Sequence, residues 1–224
     1  MTALIQARMT STRLPGKSLM NCGNRPLLQW VLESVDSLEF VDEAIVLTST
    51  NAADDEIEIF CTSRGVRVFR GDIDNVLSRY KYAVDHFGIS DFIRITADNP
   101  FYIKELSNQA YKIFKDSNAD YLHIEGLSHI VPEFLNKKGI DYAFANACKE
   151  HHFEHVTTIL REKNAKASLR VVEVLNHNLG LSKKLDRYLT VDTKTDFDRF
   201  KLIAENGIPS SKQELYKTIE KLII

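Results

Sequence analysis

Short apolar runs and amphipathic stretches alternate along the first half of the chain. Ala3 to Ala7 has the length and composition of a buried strand. Pro26 to Leu38 then places Leu27, Leu28, Val31, Leu32 and Val35 at helical intervals, opened by a proline that suits a first turn whose N–H has no partner to lose. The period keeps switching: strand over Ala44 to Leu47, helix over Asp54 to Ser63 with Ile57, Phe60 and Cys61 inward, strand over Val66 to Phe69, helix over Asn75 to Phe87, strand over Phe92 to Ile95, helix over Ile103 to Lys115, and strand over Tyr121 to Ile124. Such alternation implies right-handed crossovers and a mostly parallel α/β sheet covered by helices on both faces.

Past Ile124 the pattern loosens, and no period is clear from Glu125 to Lys138. Asp141 to Lys149 and Phe153 to Arg161 read as helices, Ser168 to Val174 and Tyr188 to Val191 as strands, and Asp196 to Glu205 and Ser211 to Leu222 as closing helices. No repeat, low-complexity tract or long linker interrupts the chain. The expectation is a single domain over 1–224, with a candidate lid or dimer-contacting arm within 125–166.

Composition narrows the function classes. A hydrophobic fraction of 44% and a charged fraction of 27% are those of an ordinary globular protein. The net charge of −2 argues against a nucleic-acid surface or a polybasic membrane anchor, so neither partner is expected and any cationic function is local. Cys22, Cys61 and Cys148 are scattered and odd in number, which suits a reducing compartment and no disulfide framework. No run approaches the roughly 20 apolar residues of a spanning helix, and no charged and then apolar leader opens the chain, so a cytoplasmic location is expected.

Against that neutral background the loop after the first strand stands out. Arg8, Arg13 and Lys17 fall within ten positions, with Pro15 and Gly16 as punctuation and hydroxyls at Ser11, Thr12 and Ser18. Open α/β sheets bind ligands at the carboxyl ends of their strands, and cations there suit a polyanion; the alternative is a solvated basic loop. Gly16-Lys17-Ser18 matches only the end of a phosphate-binding P-loop, because Ser11 occupies the first glycine position and Arg13 and Pro15 stiffen the cradle.

Two aspartates qualify for chemistry. Asp98 follows the strand Phe92 to Ile95, and Asp192 follows the run Tyr188 to Val191, so both sit at strand ends; the alternative for each is a helix cap. Carboxylates beside polyphosphate call for a divalent cation between them. Arg70 and Arg79 leave a further strand end toward the same crevice, unless they pair with Asp72 or Asp74. His151, His152 and His155 with Glu154 read H-H-F-E-H, which lacks the zinc-protease spacing H-E-x-x-H, so packed or substrate-contacting histidines are expected. No G-x-S-x-G elbow supports acyl transfer. Asp196-Phe197-Asp198 has the letters of a glycosyltransferase D-x-D but falls in a helical start.

Several blocks together resemble one family. Ile5-Gln6-Ala7-Arg8 with Ser11-Thr12-Arg13-Leu14-Pro15-Gly16-Lys17 is similar to the opening signature of the cytidylyltransferases that make CMP-activated sugar acids, in particular the SpsF-like subgroup. In the same order come Arg70-Gly71 with Val76-Leu77-Ser78-Arg79, Arg94-Ile95-Thr96-Ala97-Asp98-Asn99-Pro100, Glu154-His155-Val156-Thr157, and Leu189-Thr190-Val191-Asp192-Thr193 with Asp196-Phe197. The resemblance implies a Rossmann-like three-layer sandwich of the nucleotide-diphospho-sugar transferase type, a homodimer, and transfer of CMP from CTP to a small anionic sugar with release of pyrophosphate. It implies nucleotide contacts from Gln6, Ala7, Arg8, Ser11, Thr12, Arg13, Gly16, Lys17, Arg70, Arg79, Thr96 and Asp98, with Lys17, Arg13 and Asp98 catalytic. Asp98 and Asp192 would hold Mg²⁺, and Glu133 and His155 would meet the acceptor. Asn75, Asn99 and Met9-Thr10 depart from the usual pattern, as do the stretches Gly126 to Phe134 and Thr158 to Arg161. Rival readings are a glycosyltransferase of related fold and a nucleotide-binding protein of the same fold without turnover.

Overall fold

The computed structural model describes residues 1–175, 189–205, 207 and 209–223. β1 (Thr2–Gln6) leads through the basic loop and a small ribbon, β2 (Asn21–Cys22) with β3 (Arg25–Pro26), into α1 (Leu27–Asp36). The expected alternation follows as β4 (Glu43–Ser49), α2 (Asp55–Thr62), β5 (Arg67–Gly71), α3 (Val76–Phe87), β6 (Asp91–Thr96), α4 (Lys104–Ser117) and β7 (Tyr121–Ile124). Local chemistry sets the ends: the Asn75 side chain caps α3 by accepting the Ser78 N–H at 2.8 Å, and Gly88, at φ 65°, closes it.

The second half differs from its sequence reading. The stretch without a period contains a strand, β8 (Glu133–Asn136), and α5 (Lys137–Asn146) starts directly behind it, four residues before the expected helix. α6 (Glu150–His155) stops early because Val156 adopts φ 55°, so the continuous helix expected over Phe153 to Arg161 is broken. α7 (Lys163–Ser168) precedes β9 (Val171–Val174), and α8 (Lys194–Glu205) and α9 (Lys212–Ile223) close the chain. Of the strand expected over Tyr188 to Val191, Tyr188 lies outside the described residues and Leu189 to Val191 are not strand.

Seven strands form one sheet in the order β5-β4-β1-β6-β8-β7-β9. All neighbours are parallel except β8, which runs antiparallel to both β6 and β7. Alternate residues feed opposite faces: in β1, Ala3 and Ile5 pack with α1, α4 and α8, while Leu4 packs with α3 and α5. Two cores on one sheet make a three-layer α/β sandwich.

The reversed strand is pinned by charge. Arg94 on β6 and Glu133 on β8 are register partners, and the Arg94 Nη1 donates to Glu133 at 2.7 Å. Glu133 is 2% exposed and also accepts from Tyr121 Oη at 2.5 Å, from Thr157 Oγ1 at 3.0 Å and from Arg161 Nη2 at 2.6 Å. Burial alone would raise its pKa, but the Arg94 and Arg161 guanidiniums, with the bonds from Tyr121 and Arg161, hold it at about 2.

The folded pKa of Glu133 lies below the ~4.3 of an unfolded glutamate, so its stabilisation is complete above that value and is lost as pH falls toward 2. Glu133→Gln should therefore lower stability at pH 7 by roughly 3 kcal/mol, with a gap to wild type that narrows below about pH 4 in thermal melts; a gap independent of pH would contradict the network. Gly139, in the first turn of α5, should not tolerate alanine despite the gain of about 1 kcal/mol in helix propensity. A Cβ there would stand 2.5 Å from the Asp120 backbone oxygen. Gly139→Ala should cost about 1–3 kcal/mol, and an unchanged or raised melting temperature would show that α5 is free to shift.

Candidate active site

Parallel pairing of β1 and β6 in the register Gln6 with Thr96 brings the loops after both strands out side by side at the carboxyl edge. A cleft of about 490 Å³ opens there. Its β1 wall is the basic loop, which folds back on itself: the Gly16 N–H donates to the Met9 carbonyl at 2.8 Å, with Gly16 at φ 73°, and Ser18 Oγ donates to the Arg8 carbonyl at 3.1 Å. The left-handed φ explains the glycine. Asp54, fully buried, anchors the loop by accepting the Met9 N–H at 2.7 Å and the Ser49 N–H at 3.1 Å. From sequence Asp54 reads only as a helix start, because the bond it makes spans 45 positions.

Lys17 is carried inward by a short 3₁₀ turn, Lys17–Leu19, and is 8% exposed. Its ammonium donates to Asp98 Oδ2 at 3.0 Å, to Asp192 Oδ1 at 2.9 Å and to the Val191 carbonyl at 2.9 Å. Arg13 reaches Asp192 Oδ2 at 2.8 Å, and Arg8 lies 3.9 Å from Glu154. Burial would raise the Asp98 pKa; the Lys17 charge and the bonds from Thr96 and Lys17 outweigh it, and the carboxyl is held below its ordinary value. Two carboxylates from separate loops thus converge on one cationic point.

Of the residues expected at the site, Gln6, Ala7, Arg8, Ser11, Thr12, Arg13, Lys17, Arg79, Thr96, Asp98, Asp192 and His155 line this cleft together. Gly16 does not line it but forms the turn that presents Lys17. Arg70 is a correction: its guanidinium lies away from the cleft, bonded to Glu58 and Asp55 at 2.6 Å each, to the Ser49 carbonyl at 2.8 Å and to the Asn51 carbonyl at 3.0 Å. The acids at the start of α2 capture it across the edge of the sheet. Arg79 lines the base of the cleft at 2% exposure with its N–H groups on the carbonyls of Asp72 and Ile73, and burial lowers its pKa. Glu133, expected to meet the acceptor, sits beneath the cleft with its oxygens taken by Arg94, Tyr121, Thr157 and Arg161.

Arg94 and Thr157, which the sequence offers only as members of the resembling blocks, and Arg161, expected only as a helix end, line the cleft on the β8 side. Arg94 carried a readable signal, being on the same strand face as Thr96 two residues on. Asp196 accepts from the Thr193 N–H at 2.9 Å and Oγ1 at 2.7 Å, while Asp198 pairs with Lys194 at 2.7 Å, so the D-x-D letters are a helix cap and a surface pair. His151, His152 and Glu162 bring ligand-type atoms within 4.8 Å of one another. However, His152 Nδ1 accepts the Cys148 N–H at 3.3 Å, which places its proton on Nε2, 3.1 Å from Glu162. A neutral ring so bonded has no lone pair left for a metal.

The Asp98 and Asp192 pair is a different donor set. Two hard carboxylate oxygens that already share one cation, next to a basic loop, fit a divalent ion bound jointly with phosphate. Among the described residues no helix is long and apolar enough to cross a membrane.

The family model described as cytidylyltransferase matches residues 2–222, and that family generally works with a divalent metal. The spore coat polysaccharide biosynthesis protein SpsF of Bacillus subtilis is 33% identical over 210 residues, spanning 91% of this chain and 86% of that protein. A 3-deoxy-manno-octulosonate cytidylyltransferase of Bdellovibrio bacteriovorus is 31% identical over 115 residues, 50% of this chain and 45% of that protein. The solved structure of a cytidylyltransferase from Leptospira borgpetersenii superposes with a TM-score of 0.85 at 25% identity, covering 98% of this chain and 93% of that one. With its basic loop, paired aspartates and sheet order on this scaffold, the chain belongs to the cytidylyltransferase family, in the SpsF-like subgroup, and is a CTP-dependent nucleotidyltransferase.

Proposed function

We propose that the protein activates a sugar acid by transferring CMP from CTP with Mg²⁺, releasing pyrophosphate. The observation that carries this reading is the convergence of Asp98 and Asp192 on Lys17 beside the basic loop. The opening loop takes the triphosphate, with Arg8, Arg13 and Lys17 as its cations and Ser11 and Thr12 as hydroxyl donors. Asp98 and Asp192 hold Mg²⁺, which supplies neutralisation of phosphate charge when bound. The acceptor hydroxyl attacks the α-phosphorus in line, the new P–O bond forms as the α–β bridge breaks, and the hydroxyl proton is released. Lys17 and Arg13 stabilise the charge that grows on the departing pyrophosphate, a task of fixed electrostatics rather than covalent chemistry.

The sugar acid rests on what relatives are called: one is an octulosonate cytidylyltransferase, another a polysaccharide biosynthesis protein. By the same likeness the protein acts in polysaccharide biosynthesis; we propose further that it works in the cytoplasm, as one domain that forms a homodimer. Exposed Tyr82 and Phe144, packed edge to face at 5.7 Å on α3 and α5, give a homodimer an apolar contact outside the cleft.

Pyrophosphate release from each of the four ribonucleoside triphosphates, with Mg²⁺ and a panel of sugar acids, tests the proposal. CTP alone should support release, chelation of the metal should abolish it, and Asp98→Asn should slow it by about 100-fold or more. Equal use of all four triphosphates, or undiminished release by the variant, would contradict it.

A further inference from the structure

The cleft holds two clusters of paired charge, and only one of them keeps a cation in excess. On the β1 side, Lys17 and Arg13 face Asp98 and Asp192. On the β8 side, across β6, two guanidiniums share a single carboxylate: Arg94 and Arg161 both bond Glu133, leaving one net positive charge. Arg94 is inward, with a side chain 12% exposed and its Nη2 donating to Gln6 Oε1 at 3.1 Å. Arg161 is the outward member, with a side chain 42% exposed in the cleft wall.

The way Arg161 is held leaves one edge available. Its Nε donates to Tyr121 Oη at 3.0 Å and its Nη2 to Glu133 at 2.6 Å, which occupies the side of the guanidinium fork. Its Nη1 meets no acceptor among the described residues. The end of the fork, Nη1 with the second N–H of Nη2, has the spacing of a carboxylate.

A strained backbone supports this placement. Val156 has φ 55° and ψ −58°, rare for a β-branched residue, and the Thr157 N–H closes a three-residue turn on the His155 carbonyl at 2.5 Å. Val156 is fully buried and Thr157 Oγ1 bonds both oxygens of Glu133, at 3.0 and 3.1 Å, so packing and the same carboxylate hold the turn. The turn ends α6 and sends the chain past Thr157 and Thr158, both in the cleft wall, to Arg161. Strain of this kind persists where the surroundings over-determine it.

We infer that Arg161 takes the carboxylate of the acceptor and makes the cleft selective for sugar acids over neutral sugars. The inference rests on the nucleotidyl-transfer reading and deepens it. A neutral acceptor would cover the guanidinium without neutralising its charge or matching its fork, which disfavours that complex. Glu133, Tyr121 and Thr157 are positioning residues in this scheme.

Calorimetry tests it on protein loaded with Mg²⁺ and α,β-methylene-CTP, which cannot turn over. The probes are 3-deoxy-manno-octulosonate, N-acetylneuraminate and their methyl esters. Wild type should bind at least one acid about tenfold or more tightly than its ester. Arg161→Gln should lose about that factor for the acid and little for the ester, with affinity for the CTP analogue within about twofold of wild type as the control for folding. Arg161→Lys, which keeps the charge without the fork, should fall between and serves if the glutamine variant does not fold. Equal binding of acid and ester, an unchanged Arg161→Gln, or no binding of either acid would overturn the inference. Sugar-acid turnover that persists in Arg161→Gln would sink it while leaving nucleotidyl transfer standing; failure of the CTP analogue to bind would remove both.

Discussion

The ammonium of Lys17 joins three segments that sequence keeps far apart. It meets Asp98, Asp192 and the carbonyl of Val191 within 3.0 Å while almost wholly out of solvent. A desolvated charge of this kind is tolerable only with its partners in place, so the opening loop, the loop after β6 and the segment before α8 hold one another in register. Everything that follows, the convergence of carboxylates, the basic wall beside them and the direction in which a triphosphate would lie, depends on that contact. The supports behind it are equally specific. Gly16 makes the left-handed turn that sends Lys17 inward, and Asp54 ties the loop backbone to the start of α2.

The other half of the cleft has its own buried charge. Glu133 is set where the reversed strand β8 meets β6, and its two oxygens organise Arg94, Arg161, Tyr121 and Thr157. The sheet therefore carries a charge cluster on each side of β6, one in the loops above its end and one within the strands. Both place cations along the same wall, consistent with two anionic substrates meeting over β6. The difference is that Lys17 is presented by a loop, whereas Arg161 is presented by a turn strained at Val156 and clamped from below.

Much of this was legible in the chain. Alternating periods gave the parallel core, because strands buried on both faces and amphipathic helices leave distinct patterns, and the crowding of Arg8, Arg13 and Lys17 pointed to the cleft that these residues line. What stayed hidden has a common cause. β8 begins and ends in polar residues, Glu133 and Asn136, whose partners lie on other strands, so no local period betrays it. For Arg70 the sequence offers the crevice or a pairing with Asp72 or Asp74, because the acids that capture it, Asp55 and Glu58, are 15 and 12 positions away on another element. Glu133 reads from sequence as an acceptor contact and not as buried, and Arg161 only as a helix end, because the turn at Val156 that brings it to the cleft has no local signal. Local chemistry is read from sequence; long-range charge pairing is read from the fold.

The most direct measurement is anomalous diffraction from crystals grown with Mn²⁺ in place of Mg²⁺ and a non-hydrolysable CTP analogue. The expected result is a manganese peak bonded to carboxylate oxygens of both Asp98 and Asp192 and to the triphosphate, with the phosphates against Arg8, Arg13 and Lys17. A metal held by the triphosphate alone, or by another cluster such as His151, His152 and Glu162, would contradict the assignment of the two aspartates.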